Sequence, residues 1–258
     1  MFNFNYKDID FSHKLDNTTT PTESFERHMH YFNEILFFIR GNVDYHVESE
    51  SRKLSKGDIV LIPSGKFHFA DCDLSQPYER YVLKFPDNIL PDFLASKLKN
   101  SFSFFTDTMK YVLDFNSLDD YYQQFQDRDE IYALFVSELI KLLVLLFKDG
   151  DDASPTIRQN NIIKSVIDYI DAHIKENITL ESLCSHFYFS KSYLSNCFKK
   201  NMNTPIMQYV RYKKIIAAHR MILNGAKKTL VANEFGFNNY STFYREYNKI
   251  IGLDKKSK

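Results

Sequence analysis

Cysteine, glycine, proline and tryptophan are all scarce in this chain, and each scarcity narrows the reading. The three cysteines among 258 residues, Cys72, Cys184 and Cys197, are odd in number and far apart. They frame neither a disulfide scaffold nor a cysteine-based zinc site. Seven glycines, seven prolines and no tryptophan exclude collagen-like and low-complexity architectures, and 44% hydrophobic with 26% charged residues is the balance of a chain that buries a core. No apolar run approaches the roughly 20 residues of a membrane helix; the longest, Leu142–Phe147, lies between Lys141 and Lys148. Met1–Asp16 carries Lys7, Asp8, Asp10 and Lys14 and lacks an apolar h-region, so no signal peptide is expected. Also missing are a Gly-rich phosphate loop, a nucleophile elbow and an H-E-x-x-H zinc motif. The expectation is a soluble, reduced, cytoplasmic protein without a membrane partner.

What the chain does have is charge, unevenly placed. The formal net charge is zero, yet residues 1–155 hold 16 basic and 26 acidic side chains, a net of −10, and residues 156–258 hold 17 and 7, a net of +10. Such asymmetry predicts two domains and a polyanionic partner for the basic one. Charge alone is equally consistent with a merely well-solvated helical surface.

The two halves also differ in period. Glu34–Arg40 reads as a continuous apolar strand ending at the turn pair Gly41-Asn42, followed by Val43–Glu48. Ser51–Leu54, Ile59–Ile62, Phe67–Ala70 and Arg80–Phe85 follow at hairpin spacing, with turns at Lys56-Gly57-Asp58 and Pro63-Ser64-Gly65. Short strands so spaced predict a small antiparallel barrel or sandwich. After Pro91 the pattern is helical, with an ambiguous Phe-rich stretch at 102–105. Ile131, Leu134, Phe135, Glu138, Leu139, Leu142 and Leu146 step by three and four, while Ile140, Leu143 and Leu145 make the opposite face apolar too. A helix apolar nearly all round lies in a core or against a second copy; the favoured expectation is a homodimer contact. Lys148–Thr156 is the natural linker, and Ile163, Val166, Ile167, Ile170 and Ile174 open an amphipathic helix beyond it.

In the basic half, Thr179 is an N-cap candidate for a short helix to about His186, and Ser190 for a second over Lys191–Lys200. Leu194 and Phe198 face inward, leaving Ser192, Ser195, Asn196 and Lys199 outward. Short amides and hydroxyls suit base edges, and lysines suit phosphates. A similar unit recurs: Thr229–Glu234, a turn at Gly236-Phe237, then a helix capped by Asn238 or Asn239 and running through Lys249. There Phe243 and Tyr247 face inward and Tyr240, Ser241, Tyr244 and Arg245 outward. Between the units, Ile206–Leu223 forms one helix of about 27 Å at roughly 1.5 Å per residue, near the roughly 34 Å between successive major-groove faces.

The segments ITLESLCSHFYFSKSYLSNCFKK, QYVRYKKIIAAHRMIL and VANEFGFNNYSTFYREYNK resemble the double helix-turn-helix domain of AraC/XylS-type transcription regulators over about residues 160–252. The resemblance implies base contacts from Ser192, Ser195 and Asn196 in the first unit and from Tyr240, Ser241, Tyr244 and Arg245 in the second. Four departures stand out. Lys214 replaces a usual Arg, Asn203 a usual Gly and Lys228 a commonly apolar residue, while Leu253-Asp254-Lys255 follows Gly252 in place of Ser-Pro. They predict a less well buttressed second unit.

The acidic half carries a constellation: His28-x-His30-x3-Glu34-x6-Gly41, then Gly57-x5-Pro63-x-Gly65-x2-His68. Strand alternation puts His28 and His30 on one face, Glu34 at an even offset and His68 on a facing strand. Imidazoles plus a carboxylate suit Fe, Mn, Ni or Zn. These spacings resemble both signature motifs of the cupin barrel over about residues 20–86, with Cys72 in place of a usual Asn. In AraC-type regulators this domain implies a pocket for a small molecule, often a sugar, with the histidines as hydrogen-bonding groups. Phe37, Tyr45, Ile62, Phe67 and Tyr81 are candidate walls or plain core.

The fold class expected is α+β with two domains: an N-terminal cupin-like antiparallel β-barrel followed by helices, then an all-α double helix-turn-helix. The boundaries expected are 1–90 for the barrel, 91–148 for a helical dimerisation or transmission segment, 149–157 for the linker and 158–258 for the DNA-binding domain. The function expected is ligand-modulated transcription regulation, not catalysis. Partners would be double-stranded promoter DNA, a small-molecule effector, a second copy of the chain and, for an activator, RNA polymerase. No cofactor is expected beyond a divalent transition metal at His28, His30, Glu34 and His68, the alternative to a purely hydrogen-bonding pocket. The competing function is a cupin metalloenzyme, an isomerase or dioxygenase, using those same four residues.

Overall fold

The structure, a computed structural model, describes residues 2–17, 28–73, 75–99, 103–106, 112–149, 158–159, 161–237 and 239–256. Among the described residues, ten strands form two antiparallel sheets. The strands are β1 (Asn3–Tyr6), β2 (Ile9–Asp16), β3 (Asn33–Arg40), β4 (Val43–Val47), β5 (Glu50–Lys53), β6 (Ile59–Ile62), β7 (His68–Cys72), β8 (Tyr78–Phe85), β9 (Ser103–Phe105) and β10 (Arg158–Gln159). One sheet runs β1-β2-β8-β3-β6-β9 and the other β10-β5-β4-β7.

β3 shows why its sequence is continuously apolar. Ile35 and Phe37 point to one face of the six-stranded sheet, where Ile59, Leu61, Tyr81 and Leu83 join them against helices. Leu36 and Phe38 point to the other, where Val60, Ile62 and Val82 meet Val43, Tyr45, Val47 and Ala70 of the four-stranded sheet. A strand covered on both faces cannot alternate polar with apolar. The expected barrel is corrected here: among the described residues the hydrogen-bonded ladders form two separate sheets that pack side chain to side chain, and they do not close into one ring. The turn Gly41-Asn42 forms as expected, with Gly41 at φ 142° and a Cβ there 3.2 Å from the Pro77 carbonyl.

Helices α1 (Asp92–Lys99), α2 (Val112–Gln124) and α3 (Arg128–Asp149) pack on the outer face of the six-stranded sheet. The Phe-rich stretch supplies β9, which pairs with β6. Of α3, Ile131, Phe135, Leu139, Leu142, Leu143 and Leu146 are buried within this chain and Val144 is exposed. On the opposite stripe Leu143 is buried, while Ile140 and Leu145 are half-buried against the same core. Strands β1 and β2, which periodicity did not reveal, complete the sheet. Of the expected linker, Asp149 closes α3 and residues 150–157 lie outside the described residues.

The second half is helical: α4 (Asn161–Ala172), α5 (Leu180–Phe187), α6 (Lys191–Met202), α7 (Ile206–Leu223), α8 (Lys228–Glu234) and α9 (Tyr240–Lys256). Thr179 and Ser182 form a reciprocal capping box on α5, and the Ser190 hydroxyl accepts from the Tyr193 N–H at the start of α6. Asn239 caps α9, its Oδ1 accepting from the Ser241 N–H at 2.7 Å; Asn238 lies outside the described residues. Without a proline after Gly252, α9 continues to Lys256. Among the described residues no helix is long and apolar enough to cross a membrane.

Asn203 ends α6 at φ 47° and ψ 23°, the left-handed region. Asn enters it at small cost, whereas a β-branched residue does not. Asn203→Val is expected to lower stability in urea unfolding by about 1–2 kcal/mol, while Asn203→Gly leaves it nearly unchanged. Equal stability of the Val variant would contradict the assigned backbone.

Candidate functional site

Two groups of side chains draw attention, one exposed on the helical half and one buried in the sheet half. On α6, Ser192, Asn196 and Lys199 are exposed and Ser195 is half-buried, while Leu194 and Phe198 are fully buried beneath them. On α9, Tyr240, Ser241, Tyr244 and Arg245 are all exposed above buried Phe243 and Tyr247. All eight predicted residues therefore lie on the outward faces of the second helices of their units. Asn196 donates to Ser192 Oγ at 3.5 Å, and the Tyr240 and Tyr244 rings stack with centroids 6.1 Å apart. Sequence reasoning passed over Tyr188, 95% exposed in the turn between α5 and α6, and Tyr193, exposed on α6; a tyrosine bared in a polar helix was the available signal.

The departures in the second unit turn out to be partnered. Lys214 is buried and donates to the carbonyls of Glu176 and Phe235, at 2.7 and 2.8 Å, joining the end of α8 to the segment before α5. Lys228 lies over the rings of Tyr244 and Tyr247 at 5.9 and 5.1 Å. The expected weakness of buttressing is corrected at these two positions.

In the sheet half, His28, His30, Glu34 and His68 converge as the spacing predicted: one ligand atom from each falls within 4.8 Å of the others. His30, Glu34 and His68 are buried. His28 reaches the group because residue 28 bridges residue 68 in antiparallel register. His30 Nε2 lies 2.9 Å from Glu34 Oε2, and His68 Nε2 lies 3.8 Å from that same oxygen. His30 Nδ1 faces the Phe32 carbonyl and His68 Nδ1 the Lys66 carbonyl, each at 2.9 Å. A carbonyl only accepts, so both rings carry their proton on Nδ1. Lys84, which sequence reasoning missed, stands 3.6 Å from Glu34 Oε2. Burial pushes the Glu34 carboxyl up, but Lys84 and the bond to His30 outweigh it and hold the group well below the usual carboxylate range. Burial, then Lys84, pushes His30 down to about 4 despite Glu34. Burial and the neighbouring imidazoles likewise push His28 well down.

The five candidate wall residues do not share one cavity. Phe37 and Tyr81 face the helices α1–α3, Tyr45 and Ile62 lie between the sheets, and Phe67 packs into the helical half. Cys72 packs against the core between the sheets, and burial pushes its thiol up to about 12.

Phe67 belongs to a seam that the sequence did not announce. One face of α7 lies on the turn before β7: Tyr209 donates to Glu48 Oε2 at 2.6 Å, Lys213 to the Gly65 carbonyl at 3.1 Å, and Arg220 to the Ser64 carbonyl at 2.7 Å. Lys213 also pairs with Asp171 of α4 at 2.7 Å, and Lys66 reaches Asp171 at 3.3 Å. Gly65, at φ 79°, brings its backbone so close that a Cβ would lie 3.3 Å from Ile216. Met29 and Phe67 are buried in the core of the helical half.

Comparison with known proteins now adds a lineage. Residues 183–254 match the family model described as a helix-turn-helix domain, and residues 17–143 match that of the AraC-like ligand binding domain. The chain is 24% identical over 239 residues to the HTH-type transcriptional regulator YobQ of Bacillus subtilis, covering 91% of this chain and 88% of that one. It is likewise 24% identical to the HTH-type transcriptional regulator YdeC of the same organism, over 87% and 83% of the two chains. A crystal structure of a ToxT variant from Vibrio cholerae aligns over 96% of this chain and 95% of that chain, with 12% identity and a TM-score of 0.43.

The Tyr209–Glu48 bond ties the two halves through a buried carboxylate, and a hydrogen bond to a charged group contributes about 1.5–3 kcal/mol. Tyr209→Phe is expected to lose that amount in urea unfolding. Unchanged stability would show that the bond contributes nothing to the seam.

Proposed function

The chain belongs to the AraC-type transcription regulators, with an N-terminal ligand-binding domain and a C-terminal helix-turn-helix domain, and from that premise we propose that α6 and α9 read two successive major-groove faces of promoter DNA. The observation that carries this is the pair of exposed polar faces, Ser192/Ser195/Asn196/Lys199 and Tyr240/Ser241/Tyr244/Arg245, at either end of one 18-residue helix, α7. Lys199 takes phosphate, and Ser192, Ser195, Asn196 and Arg245 take base edges. Tyr240, Ser241 and Tyr244 contact sugar, phosphate or base methyl groups. The net charge of +10 on residues 156–258 supplies sequence-independent attraction.

The N-terminal domain senses a small-molecule effector, which acts through its different affinities for two arrangements of the molecule. A homodimer presents two copies of the reading heads to a paired site, and an activator adds a contact to RNA polymerase. The protein works in the cytoplasm, where promoter DNA is, and regulates without catalysing a reaction.

Selection of bound duplexes from a random pool, followed by titration at several salt concentrations, tests the reading. Two half-sites about one helical turn apart are expected, with affinity falling steeply with salt. Arg245→Ala is expected to weaken binding to the selected duplex by about 1–3 kcal/mol and relax one base position. Lys199→Ala should weaken binding to all sequences alike and lower the salt slope by about 1. Sequence-indifferent binding by the intact protein would overturn the proposal.

A further inference from the structure

The turn inside the first helix-turn-helix unit carries a residue that the fold does not ask for. Tyr188 ends α5 at φ 57° and ψ 36°, the left-handed region, where a bulky L side chain is an outlier. The Phe189 N–H returns to the Cys184 carbonyl at 3.0 Å, and Phe189 packs against the helical core. The second unit makes the same turn with the same kind of bond. There the Phe237 N–H returns to the Ala232 carbonyl at 3.0 Å, and Phe237 packs inward. Its left-handed residue is Gly236, at φ 70°. Phe187-Tyr188-Phe189 and Phe235-Gly236-Phe237 thus form one corner twice, and only the second uses the residue that such a helix end favours.

Four non-glycine residues among those described have positive φ: Lys7, Glu48, Tyr188 and Asn203. Lys7 pairs with Asp129 at 2.6 Å, Glu48 accepts from Tyr209, and Asn203 is of a type that enters this region at small cost. Tyr188 differs from all three. It is 95% exposed, so neither packing nor a bond within the described residues offsets its backbone strain. Strain of this kind persists only where the surroundings impose it, and it concentrates at functional positions. The surroundings here are firm. The Phe189 ring lies 6.4 Å from Phe187 and 5.0 Å from Tyr193, and Lys191 of α6 pairs with Glu181 of α5. An exposed tyrosine is therefore carried on a fixed corner of the backbone.

Its place indicates what it faces. Ser190 caps α6, and Ser192, four residues after Tyr188, opens the exposed polar face. In a helix-turn-helix the N-terminal residues of the second helix reach base edges while the first helix crosses the backbone. The turn joining them stands over the sugar–phosphate rim of that groove, where a tyrosine hydroxyl donates to phosphate oxygens. We propose that Tyr188 is a DNA-backbone contact of the first unit, its hydroxyl donating to a phosphate at the rim of the groove that α6 enters and its ring lying on the adjoining sugar. The contact sets the register at which Ser192, Ser195 and Asn196 meet the bases. It adds a residue outside the two exposed polar faces, and it rests on the entry of α6 into a major groove. The second unit, with Gly236 at the matching corner, lacks the contact, so the two units hold DNA unequally.

The test compares Tyr188→Gly, Tyr188→Phe and Asn196→Ala with the intact protein, each as the full chain, on the selected duplex. Tyr188→Gly reproduces the corner of the second unit, so its urea midpoint is expected to stay level or rise. Its affinity for the duplex is expected to fall by about fivefold or more. The loss should be equal on duplexes altered at the base positions under α6. The slope of log affinity against log salt should stay unchanged, because a hydroxyl displaces no counterion. Tyr188→Phe, which keeps the ring, should lose affinity but less than Tyr188→Gly. A lower urea midpoint in Tyr188→Gly assigns the tyrosine to the fold and overturns the proposal. So does a loss confined to particular base pairs, and equal affinity of Tyr188→Phe and the intact protein overturns the phosphate bond. If Asn196→Ala loses affinity and relaxes a base position while Tyr188→Gly binds as the intact protein does, α6 still reads DNA and Tyr188 faces a protein or solvent instead. If neither variant loses affinity, the entry of α6 into the groove is itself overturned, and the contact with it.

Discussion

The docking of α7 on the turn between β6 and β7 is the contact from which the rest of the molecule takes its arrangement. Tyr209, Lys213, Ile216 and Arg220 succeed one another at steps of four, three and four residues, which places them on one face of a helix. That face meets Glu48, Gly65 and Ser64. The next residue along, Lys214, points the other way and bonds the carbonyls of Glu176 and Phe235. One helix is thus fastened on one side to the sheet half and on the other to both helix-turn-helix units. Neither helix-turn-helix unit can be reoriented relative to the sheet half without disturbing α7.

The chemistry of the seam favours two discrete arrangements over gradual slippage. Glu48 and Lys213 are both nearly buried, and Asp171 and Lys66 stand beside them. Burying charges costs desolvation energy that is recovered only in good geometry. A seam made this way adds little net stability over an apolar one, but a small displacement leaves buried charges without partners. Gly65 adds a steric condition, because any side chain there would press on Ile216. The contact therefore holds in register or lets go, the property a ligand-driven transition requires.

The exposed polar faces of α6 and α9 depend on the same economy of burial. Leu194 and Phe198 under α6, and Phe243 and Tyr247 under α9, are sealed into one helical core with Met29 and Phe67 from the sheet half. Only after those positions are committed to the core are Ser192, Asn196, Tyr244 and Arg245 left outward. Lys228, which departs from the usual apolar residue at its position, covers Tyr244 and Tyr247 with its cation and so contributes to both layers.

Much of this was legible in order along the chain, because the relevant physics is local. Caps at Thr179 and Ser190, the span Ile206–Leu223, the turn at Gly41-Asn42 and the outward residues of α6 and α9 follow from periodicity and side-chain chemistry within a few residues. The convergence of His28, His30, Glu34 and His68 was legible too, since strand alternation has a period of two and a hairpin returns His68 to His28. Strands β1 and β2 were not, because the pairing of β2 with β8 and of β1 with β2, rather than any strong pattern of their own, makes them strands. Nor was the open edge of the sheets, since hairpin spacing is the same in a closed barrel and in two facing sheets.

The sequence by itself determined the two halves, their opposite charge, the exposed polar faces of α6 and α9 and the identity of the buried cluster. Only the tertiary structure decided that α3 packs on its own sheet, that Lys84 stands beside Glu34, and that Tyr209, Lys213 and Arg220 belong to a seam. The seam contacts join residues more than a hundred positions apart. A lone Tyr, Lys or Arg on a helix looks like solvated surface until the chain it touches has been folded against it.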